Sequence, residues 1–270
     1  MELKGKTVII TGASKGLGVS MAKICADEGA TVVLAARTIE RLDAMVDELR
    51  DGGKRALAIK CDVSHRGDLT RIVEQTVSEF GRIDGLINNA GVNFVKPFIE
   101  TTEEEWDHIM DVDLKGSFFL TQECAKQMIA QTPQGGSIVQ IASVHTLASL
   151  RGAGPYDAAK RGMIGYSKAA ALELALYGIR VNVLSPGLCR TEMWKDIVAA
   201  APSEEECVDF WNANIPAHRL IEPAEIAEVC VFLLSDKSSS INGANLMADC
   251  GMTSQLISEE PYVSSAIEGA

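Results

Sequence analysis

A tyrosine and a lysine stand four residues apart in "YDAAK", residues 156 to 160, among small residues that favour a helix. On an α-helix this spacing places both side chains on one face, one turn apart. An ammonium about 4 Å from a phenol favours the phenolate, so Lys160 predicts that the pKa of Tyr156 falls from about 10 toward neutrality. A phenol with such a pKa is an efficient general acid or base. Taken alone, this spacing is more often part of an exposed helix face.

A glycine-rich segment, "TGASKGLG" (residues 11 to 18), follows an apolar run and precedes a helical pattern. Its glycines permit a tight turn and let backbone N–H groups approach a pyrophosphate at the helix N-terminus. The next predicted strand ends in Ala36 and Arg37, where an acidic residue would bind the adenosine ribose of NAD. Arg37 and Lys15 instead predict a 2′-phosphate site, and therefore NADP(H) in preference to NAD(H).

Short β-branched runs alternate with amphipathic helical patterns up to about residue 250, which is typical of an α/β fold. The predicted strands cover residues 6–11, 31–36, 55–61, 82–88, 136–142, 179–185 and 244–248. We expect one Rossmann-type, doubly wound domain over residues 1–253, with a seven-stranded parallel sheet and helices on both faces. Residues 188–215 form a long, helix-prone insertion that we interpret as a substrate lid, and 254–270 form a polar tail.

Composition excludes several classes of partner. The net charge of −12 opposes binding to phosphate backbones or anionic lipid surfaces, so we expect neither nucleic acid nor membrane partners. No apolar run approaches the roughly 20 residues that cross a bilayer, and "MELKGKTVII" lacks a signal-peptide pattern, which predicts a cytoplasmic protein. The seven cysteines are scattered without paired spacing, so we expect no metal site and no disulfide framework.

Taken together, the motifs resemble the short-chain dehydrogenase/reductase family over nearly the whole chain, to about residue 253. The shared motifs are the glycine loop (11–18), "CDV" (61–63), "NNAG" (88–91), Ser143 thirteen residues before Tyr156, Lys160, "SPG" (185–187) with Thr191, and the closing "INGANLMADCG" (241–251). The resemblance implies an oxidoreductase that transfers a hydride between a nicotinamide cofactor and a ketone, aldehyde or alcohol.

Catalysis is expected from Ser143, Tyr156, Lys160 and Asp113. Tyr156 would exchange a proton with the substrate oxygen, Ser143 would stabilise the charge on that oxygen, and Lys160 would also bind the nicotinamide ribose. By resemblance, Asp62 would contact the adenine and the backbone of Cys189 the carboxamide. The expected cofactor contacts are Gly12, Ser14, Lys15, Gly16, Leu17, Gly18, Arg37, Asp62, Val63, Asn89, Ala90, Gly91, Tyr156, Lys160, Pro186, Gly187, Cys189 and Thr191.

Asp113 departs from the family pattern. Thr102 and Glu105 predict a capping box at the start of a long helix, and the family usually has "VNLKG" within that helix. This chain reads "VDLKG", with Asp113 in place of the Asn. In relatives the Asn side chain pins a helix distortion, and its carbonyl helps hold a water that links the lysine to solvent. Asp113 keeps a carbonyl oxygen and loses the amide donor, so the proton relay is the part that differs.

Substrate contacts are expected from Ser143, His145, Tyr156, Met193 and Trp194. The lid carries several aromatic residues, which indicate a largely apolar or ring-shaped substrate, although the same residues could simply pack the lid onto the body. The lid is also acidic and would repel an acyl carrier protein. We therefore favour a free small molecule over the runner-up within the family, a 3-oxoacyl-carrier-protein reductase.

The resemblance further implies a homotetramer or homodimer, assembled through the helices that carry Asp113 and Tyr156. Two functions from other classes remain open. A dinucleotide-binding sensor or scaffold without turnover is suggested by Asp113 alone, and the retained Ser143, Tyr156 and Lys160 oppose it. A Rossmann-fold methyltransferase would leave the Tyr/Lys pair and Arg37 unexplained.

Overall fold

A computed structural model of the chain describes residues 1–255. Within them, seven parallel strands form one sheet in the order β3-β2-β1-β4-β5-β6-β7, and the strands are Thr7–Thr11, Thr31–Ala36, Ala56–Lys60, Gly85–Asn88, Gly136–Ile141, Ile179–Pro186 and Asn245–Ala248 for β1 to β7. The predicted fold class is confirmed, and each predicted strand agrees with the observed one to within three residues. Residues 256–270 of the predicted tail lie outside the described residues.

The strand order reverses between β1 and β4, which are neighbours in the sheet. At such a switch point the crossovers leave in opposite directions, so a crevice opens beyond the carboxyl ends of the two strands. Strands β1 and β2 are buried along their whole length, because helices cover both faces of the sheet. The crevice is where the ligand of an open parallel sheet binds.

Helices pack in two layers, one on each face of the sheet. They are α1 to α9 in chain order, with bounds Leu17–Asp27, Ile39–Asp51, Arg66–Phe80, Glu103–Ile109, Ser117–Ala130, Gly154–Leu174, Glu192–Ala200, Glu204–Ala213 and Pro223–Leu234. One apolar core joins the sheet to α1, α2 and α9, through buried residues such as Met21, Leu42 and Ile226. The other joins it to α3, α5 and α6, through residues such as Ile72 and Leu120.

The predicted long helix after Thr102 is interrupted. It begins with the expected capping box, in which the Glu105 N–H donates to Thr102 Oγ1 (3.3 Å) and the Thr102 N–H to Glu105 Oε2 (2.9 Å). Between α4 and α5, however, the segment Met110–Gly116 is a π-helix, and Asp113 lies in its middle. Such wide turns are rare and frequently mark functional sites. We call residues 110–116 the π segment.

The predicted lid, residues 188–215, contains α7 and α8. Its buried Trp194 and Ile215 pack with Leu220 in a small apolar cluster separate from the two main cores. A single β-bridge between Cys189 and Ile221 joins the base of the lid to the chain that precedes α9. The lid is therefore a small structural unit of its own, attached at the carboxyl end of β6.

Among residues 1–255, no helix combines the length and the apolar character that crossing a bilayer requires. In the same range, no three His, Cys, Asp or Glu side chains lie together in a way that could hold a metal ion.

Candidate active site

The glycine loop lies at the start of the crevice, between β1 and α1. A Cβ at Gly18 would lie 2.3 Å from the Gly12 carbonyl oxygen, and a Cβ at Gly12 would lie 2.9 Å from the Ala90 Cα. Only glycine fits at these two positions, because the loop packs directly against the chain after β4. No side chain caps the N-terminus of α1, so backbone N–H groups of the loop residues Leu17 and Gly18 remain open to an anion.

The "NNAG" segment after β4 supports that loop. The Asn89 side chain donates to the Thr11 carbonyl oxygen (3.0 Å), while the N–H groups of Asn89 and Ala90 both donate to Thr11 Oγ1 (3.0 Å each). Behind them, the Asn88 amide donates to the Ser117 carbonyl oxygen and the Gln140 side chain. The bonds to Thr11 hold the end of β1 against the chain that follows β4. Side-chain and backbone hydrogen bonds therefore fix the width of the crevice.

A cavity of about 480 Å³ lies at the other end of the groove, and it is lined by Arg37, Lys60, Asp62, Asp68 and Arg71. Arg37 and Lys15 are both exposed, so their charges are free to meet an anion there. Burial raises the pKa of Asp62. Hydrogen bonds from Ser64 and the nearby His65 and Arg37 together lower it by more, so the pKa of this carboxyl lies below its usual value. The donors and the open space fit the adenosine half of a dinucleotide.

Three of the four predicted catalytic groups converge at the carboxyl end of β5. Ser143 follows that strand, and Tyr156 and Lys160 lie one turn apart in α6. The Lys160 Nζ lies 5.3 Å from the centre of the Tyr156 ring and donates to the Ile141 carbonyl oxygen (3.1 Å). Ser143 interacts with the phenol oxygen through a hydrogen bond. The phenol, the hydroxyl and the ammonium thus form one cluster at the crevice.

Asp113 joins this cluster through its side chain. Its Oδ2 lies 3.1 Å from Lys160 Nζ, and its Oδ1 accepts a hydrogen bond from the Val92 N–H at 2.8 Å. The carboxylate is fully buried and the ammonium nearly so. A Cβ at Gly91 would lie 3.0 Å from Oδ2, so the last glycine of "NNAG" leaves room for the ion pair. The sequence placed Asp113 in the site, but it did not reveal this pair.

Lys160 lowers the Tyr156 pKa as expected, but the predicted net fall of that pKa toward neutrality is wrong in direction. Burial of the phenol is the largest effect and raises the pKa of Tyr156 above its usual value. Lys160 and the hydrogen bond from Ser143 lower that pKa, whereas Asp113 and Asp157 raise it. The prediction considered the cation alone, and desolvation together with a second buried carboxylate outweighs it. At neutral pH the phenol is therefore protonated.

Lys160 keeps its charge in spite of burial. Burial lowers the pKa of this ammonium, but the adjacent Asp113 carboxylate and the Tyr156 phenol raise it, and the net shift is upward. An ammonium that stays charged is a permanent hydrogen-bond donor at the floor of the groove.

A second pair flanks Tyr156 on its other side. The His145 ring meets the Tyr156 ring edge-on at 5.2 Å, and its Nδ1 lies 2.5 Å from Asp157 Oδ1. The other oxygen of Asp157 accepts a hydrogen bond from Ser149. Arg161 donates to the His145 carbonyl oxygen (3.1 Å). Sequence reasoning named His145 but missed Asp157 and Ser149. Asp157 follows Tyr156 directly in "YDAAK", which was the available signal.

The two lid residues predicted to contact substrate differ in exposure. Trp194 is only 6% exposed and packs inside the lid with Ile215 and Leu220, so the structure places it in the lid core. Its neighbour Met193 is 52% exposed and remains a candidate. The apolar side of α7 at Trp194 thus faces the core of the lid. A sequence pattern does not distinguish an aromatic side chain that is buried in the lid from one that faces a ligand.

The lid also contacts the glycine loop. Glu192, at the start of α7, accepts a hydrogen bond from the Gly16 N–H at 2.9 Å, and Thr191 packs beside Gly16.

At the base of the lid, a Cβ at Gly187 would lie 2.9 Å from the Asp249 Cα, which explains the glycine of "SPG". Pro186 is the last residue of β6, and Gly187, Cys189 and Thr191 follow it toward the glycine loop.

Comparison with known proteins supports the geometry. A family model described as enoyl-(acyl carrier protein) reductase matches residues 12–253. The 3-oxoacyl-[acyl-carrier-protein] reductase FabG of Thermotoga maritima is 36% identical over 252 residues, which are 93% of this chain and 99% of that protein.

Solved structures agree over similar lengths. A short-chain type dehydrogenase/reductase from Mycobacterium marinum is 33% identical, with a TM-score of 0.87 over 94% of this chain and 98% of that one. A gluconate 5-dehydrogenase from Burkholderia cenocepacia J2315, in complex with NADP and tartrate, is 30% identical, with a TM-score of 0.88 over 94% and 98% of the two chains.

Proposed function

The chain belongs to the short-chain dehydrogenase/reductase family of oxidoreductases, and we propose that it interconverts a ketone or aldehyde and an alcohol on a free small molecule, with NADP(H). The convergence of Ser143, Tyr156 and Lys160 at the carboxyl end of β5 carries this proposal. We also propose that residues 1–253 form the catalytic domain and that residues 188–215 serve as its substrate lid.

In the reductive direction, Tyr156 donates its proton to the carbonyl oxygen while the carbonyl carbon accepts a hydride. Ser143 donates a hydrogen bond to the same oxygen and stabilises its developing charge. The charged Lys160 would hold the ribose hydroxyls of the cofactor and so orient the reactants. When bound, the nicotinamide supplies the hydride. A positioned proton donor of this kind contributes about 10²- to 10⁴-fold in rate.

Two observations support NADP(H) as the cofactor. Arg37 and Lys15 are exposed near the cavity at the adenosine end, and a guanidinium is suited to bidentate binding of a phosphate. The structural neighbour from Burkholderia cenocepacia is a complex with NADP. The cation at the end of β2 would bind the 2′-phosphate, and no carboxylate stands there to bind the two ribose hydroxyls of NAD.

The lid favours a free substrate over one attached to a carrier protein. Its acidic side chains are all exposed, and they are Glu192, Asp196, Glu204, Glu205, Glu206 and Asp209. An acidic carrier protein would be repelled by this surface. Reduction of a 3-oxoacyl thioester is nevertheless the second candidate, because a relative 36% identical to this chain is a 3-oxoacyl-[acyl-carrier-protein] reductase.

Exposed apolar side chains support the proposed homotetramer or homodimer. Phe118 on α5 and Leu172 on α6 are 42% and 79% exposed, and Leu176 just beyond α6 is 88% exposed. Helix α6 carries Tyr156 and Lys160, α5 continues from the π segment that carries Asp113, and large exposed apolar residues often mark an interface between subunits. We also propose that the protein works in the cytoplasm without nucleic acid or membrane partners.

The test is an activity screen with a matched active-site variant. The purified protein is supplied with NADPH or NADH and a panel of ketones, aldehydes and sugars, together with a 3-oxoacyl thioester on its carrier protein, and cofactor oxidation is followed by absorbance. We expect turnover with NADPH and a free carbonyl compound. Tyr156→Phe should lose turnover while it binds NADPH almost as tightly as the wild type.

Each part of the proposal has its own contradicting outcome. Turnover of Tyr156→Phe at the wild-type rate would refute the mechanism, and tighter binding of NADH than NADPH would refute the cofactor assignment. Activity on the carrier-linked thioester alone would establish the second candidate. NADPH binding without turnover of any compound would favour a sensor or scaffold.

A further inference from the structure

Asp113 is held in the site by a complete set of contacts. Its Oδ1 accepts from the Val92 N–H at 2.8 Å, and Ser117 Oγ donates to its backbone oxygen at 3.0 Å. Its Oδ2 lies 3.1 Å from Lys160 Nζ and has no other polar partner among the described residues. The carboxylate is 0% exposed. Because a buried charge is stable only when it is paired, Lys160 is the counter-charge that this carboxylate requires.

Lys160 therefore divides its interaction between two groups. The ammonium lies next to the Asp113 carboxylate on one side and 5.3 Å from the centre of the Tyr156 ring on the other. A neutral residue at position 113 would leave the whole positive charge acting on the phenol. A carboxylate at this distance cancels much of that charge at the phenol, since the two opposite charges form a compact dipole.

We propose that Asp113 is a positioning residue that acts through Lys160, offsetting the charge of the ammonium at Tyr156 and so weakening the phenol as a proton donor. This inference rests on the proposed function. It assigns Asp113 an electrostatic task in addition to its place in the π segment, and it makes the acid of this site weaker than a Tyr/Lys pair alone would produce.

The charged or titratable groups recorded around the phenol come from three elements. Helix α6 contributes Lys160 and Asp157, the π segment contributes Asp113, and the turn after β5 contributes His145. Asp157 also opposes the lysine, but it is engaged by His145 and Ser149, whereas Asp113 pairs with Lys160 directly and has the larger effect on the phenol. Burial raises the pKa of Tyr156, Lys160 lowers it, and Asp113 raises it. Removal of the Asp113 charge therefore lowers that pKa.

The experiment compares Asp113→Asn with the wild type in two ways. The pH dependence of kcat/KM is measured for alcohol oxidation, which needs the phenolate, and ultraviolet difference titration follows tyrosinate formation in the cofactor-free protein against a Tyr156→Phe background. We expect the midpoints of both curves to move to lower pH by about one unit. Carbonyl reduction needs the protonated phenol, so its rate in Asp113→Asn should begin to fall at a pH that is lower by the same amount.

A matched control lies in the same π segment. Asp111 forms an exposed ion pair with Lys115 (2.9 Å) and does not contact Lys160. Asp111→Asn makes the same chemical change on the same turn, and it should leave both titration midpoints where they are in the wild type. Asp113→Ser provides a second neutral residue at the buried position and should move the midpoints in the same direction as Asp113→Asn.

Several results would overturn the inference. Unchanged midpoints in Asp113→Asn, or an equal loss of rate at every pH with a lower Tm, would assign Asp113 a structural role only. Failure of both Asp113→Asn and Asp113→Ser to fold would also assign Asp113 a structural role only. The tyrosinate titration separates this inference from the proposed function, because it reports the effect of Asp113 on Tyr156 even if Tyr156→Phe proves to be active.

Discussion

Two carboxylates flank Tyr156, and they differ in depth and in partner. Asp113 pairs with Lys160 beneath the phenol, where the side chains are 0% and 4% exposed. Asp157 pairs with His145 beside the phenol, where the side chains are 12% and 11% exposed. The deeper pair acts in a poorly polarisable environment, so it has the stronger electrostatic influence on the phenol. The shallower pair chiefly orients a ring at the edge of the pocket.

The elements that hold the two pairs differ accordingly. The deep pair links the π segment to α6 and is supported by backbone groups of Val92 and Ile141. The shallow pair links the turn after β5 to α6 and depends on one further side chain, Ser149. A buried ion pair contributes little to stability after desolvation, so its presence points to a functional requirement. On the proposed function, substitutions in each pair test whether the deep pair bears on proton transfer and the shallow pair on substrate binding.

Loss of Lys160 should break the deep pair with the largest effect. In Lys160→Met the phenol loses its cation and Asp113 is left buried without a counter-charge. We expect kcat/KM to fall by about 10³-fold or more and the free energy of unfolding to fall by about 3–5 kcal/mol. Activity assays and urea denaturation measure the two effects.

A double variant separates activity from stability at the same position. Lys160→Met combined with Asp113→Asn removes both charges, so most of the lost stability should return while activity stays absent. If the double variant is as unstable as Lys160→Met alone, the uncompensated charge is not the cause.

Replacement of Asp157 should weaken the shallow pair and lower kcat/KM by an intermediate amount. Asp157→Asn can still accept a hydrogen bond from His145, but it loses the charge that strengthens that bond. We expect kcat/KM to fall by about five- to tenfold, mainly through a higher KM. Steady-state kinetics with the substrate from the activity screen measure the change.

A double-mutant cycle tests whether Asp157 acts through His145. Asp157→Asn in a His145→Gln background should lower kcat/KM almost no further, because the histidine with which Asp157 pairs is already absent. Additive losses in the double variant would mean that Asp157 acts on the site independently of His145.

Removal of the Ser149 hydroxyl should have the smallest effect of the three. Ser149 is exposed, so in Ser149→Ala a water can take the place of its hydroxyl at Asp157, and the net loss is that of one hydrogen bond, about 0.5–1 kcal/mol or two- to fivefold in KM. Kinetics under the same conditions measure it. A loss as large as that of Asp157→Asn would instead show that the Ser149 hydroxyl contacts the substrate.

Much of the fold follows from local patterns. The strands β1 to β7 appear as β-branched runs because strands buried on both faces need apolar residues throughout. The glycine loop is readable because only glycine tolerates the approach of Gly18 to the Gly12 carbonyl oxygen at the first turn. Thr102 and Glu105 mark the helix start through a purely local pair of hydrogen bonds.

Other features of the site follow from packing alone. The contact of Glu192 with Gly16 joins residues 176 positions apart, and the burial of Trp194 depends on the partners that the lid folds around it. No local pattern encodes either one. Sequence reasoning therefore identified the residues that line the site but not the pairs that they form.

The sequence by itself determined the parallel α/β sheet, the position of the glycine loop and the spacing of Ser143, Tyr156 and Lys160, because periodicity and backbone sterics are local properties. Only the tertiary structure decided the ionisation of Tyr156. Desolvation and the placement of Asp113 depend on which elements pack around the phenol, and together they reversed the pKa direction that the Tyr/Lys spacing suggested.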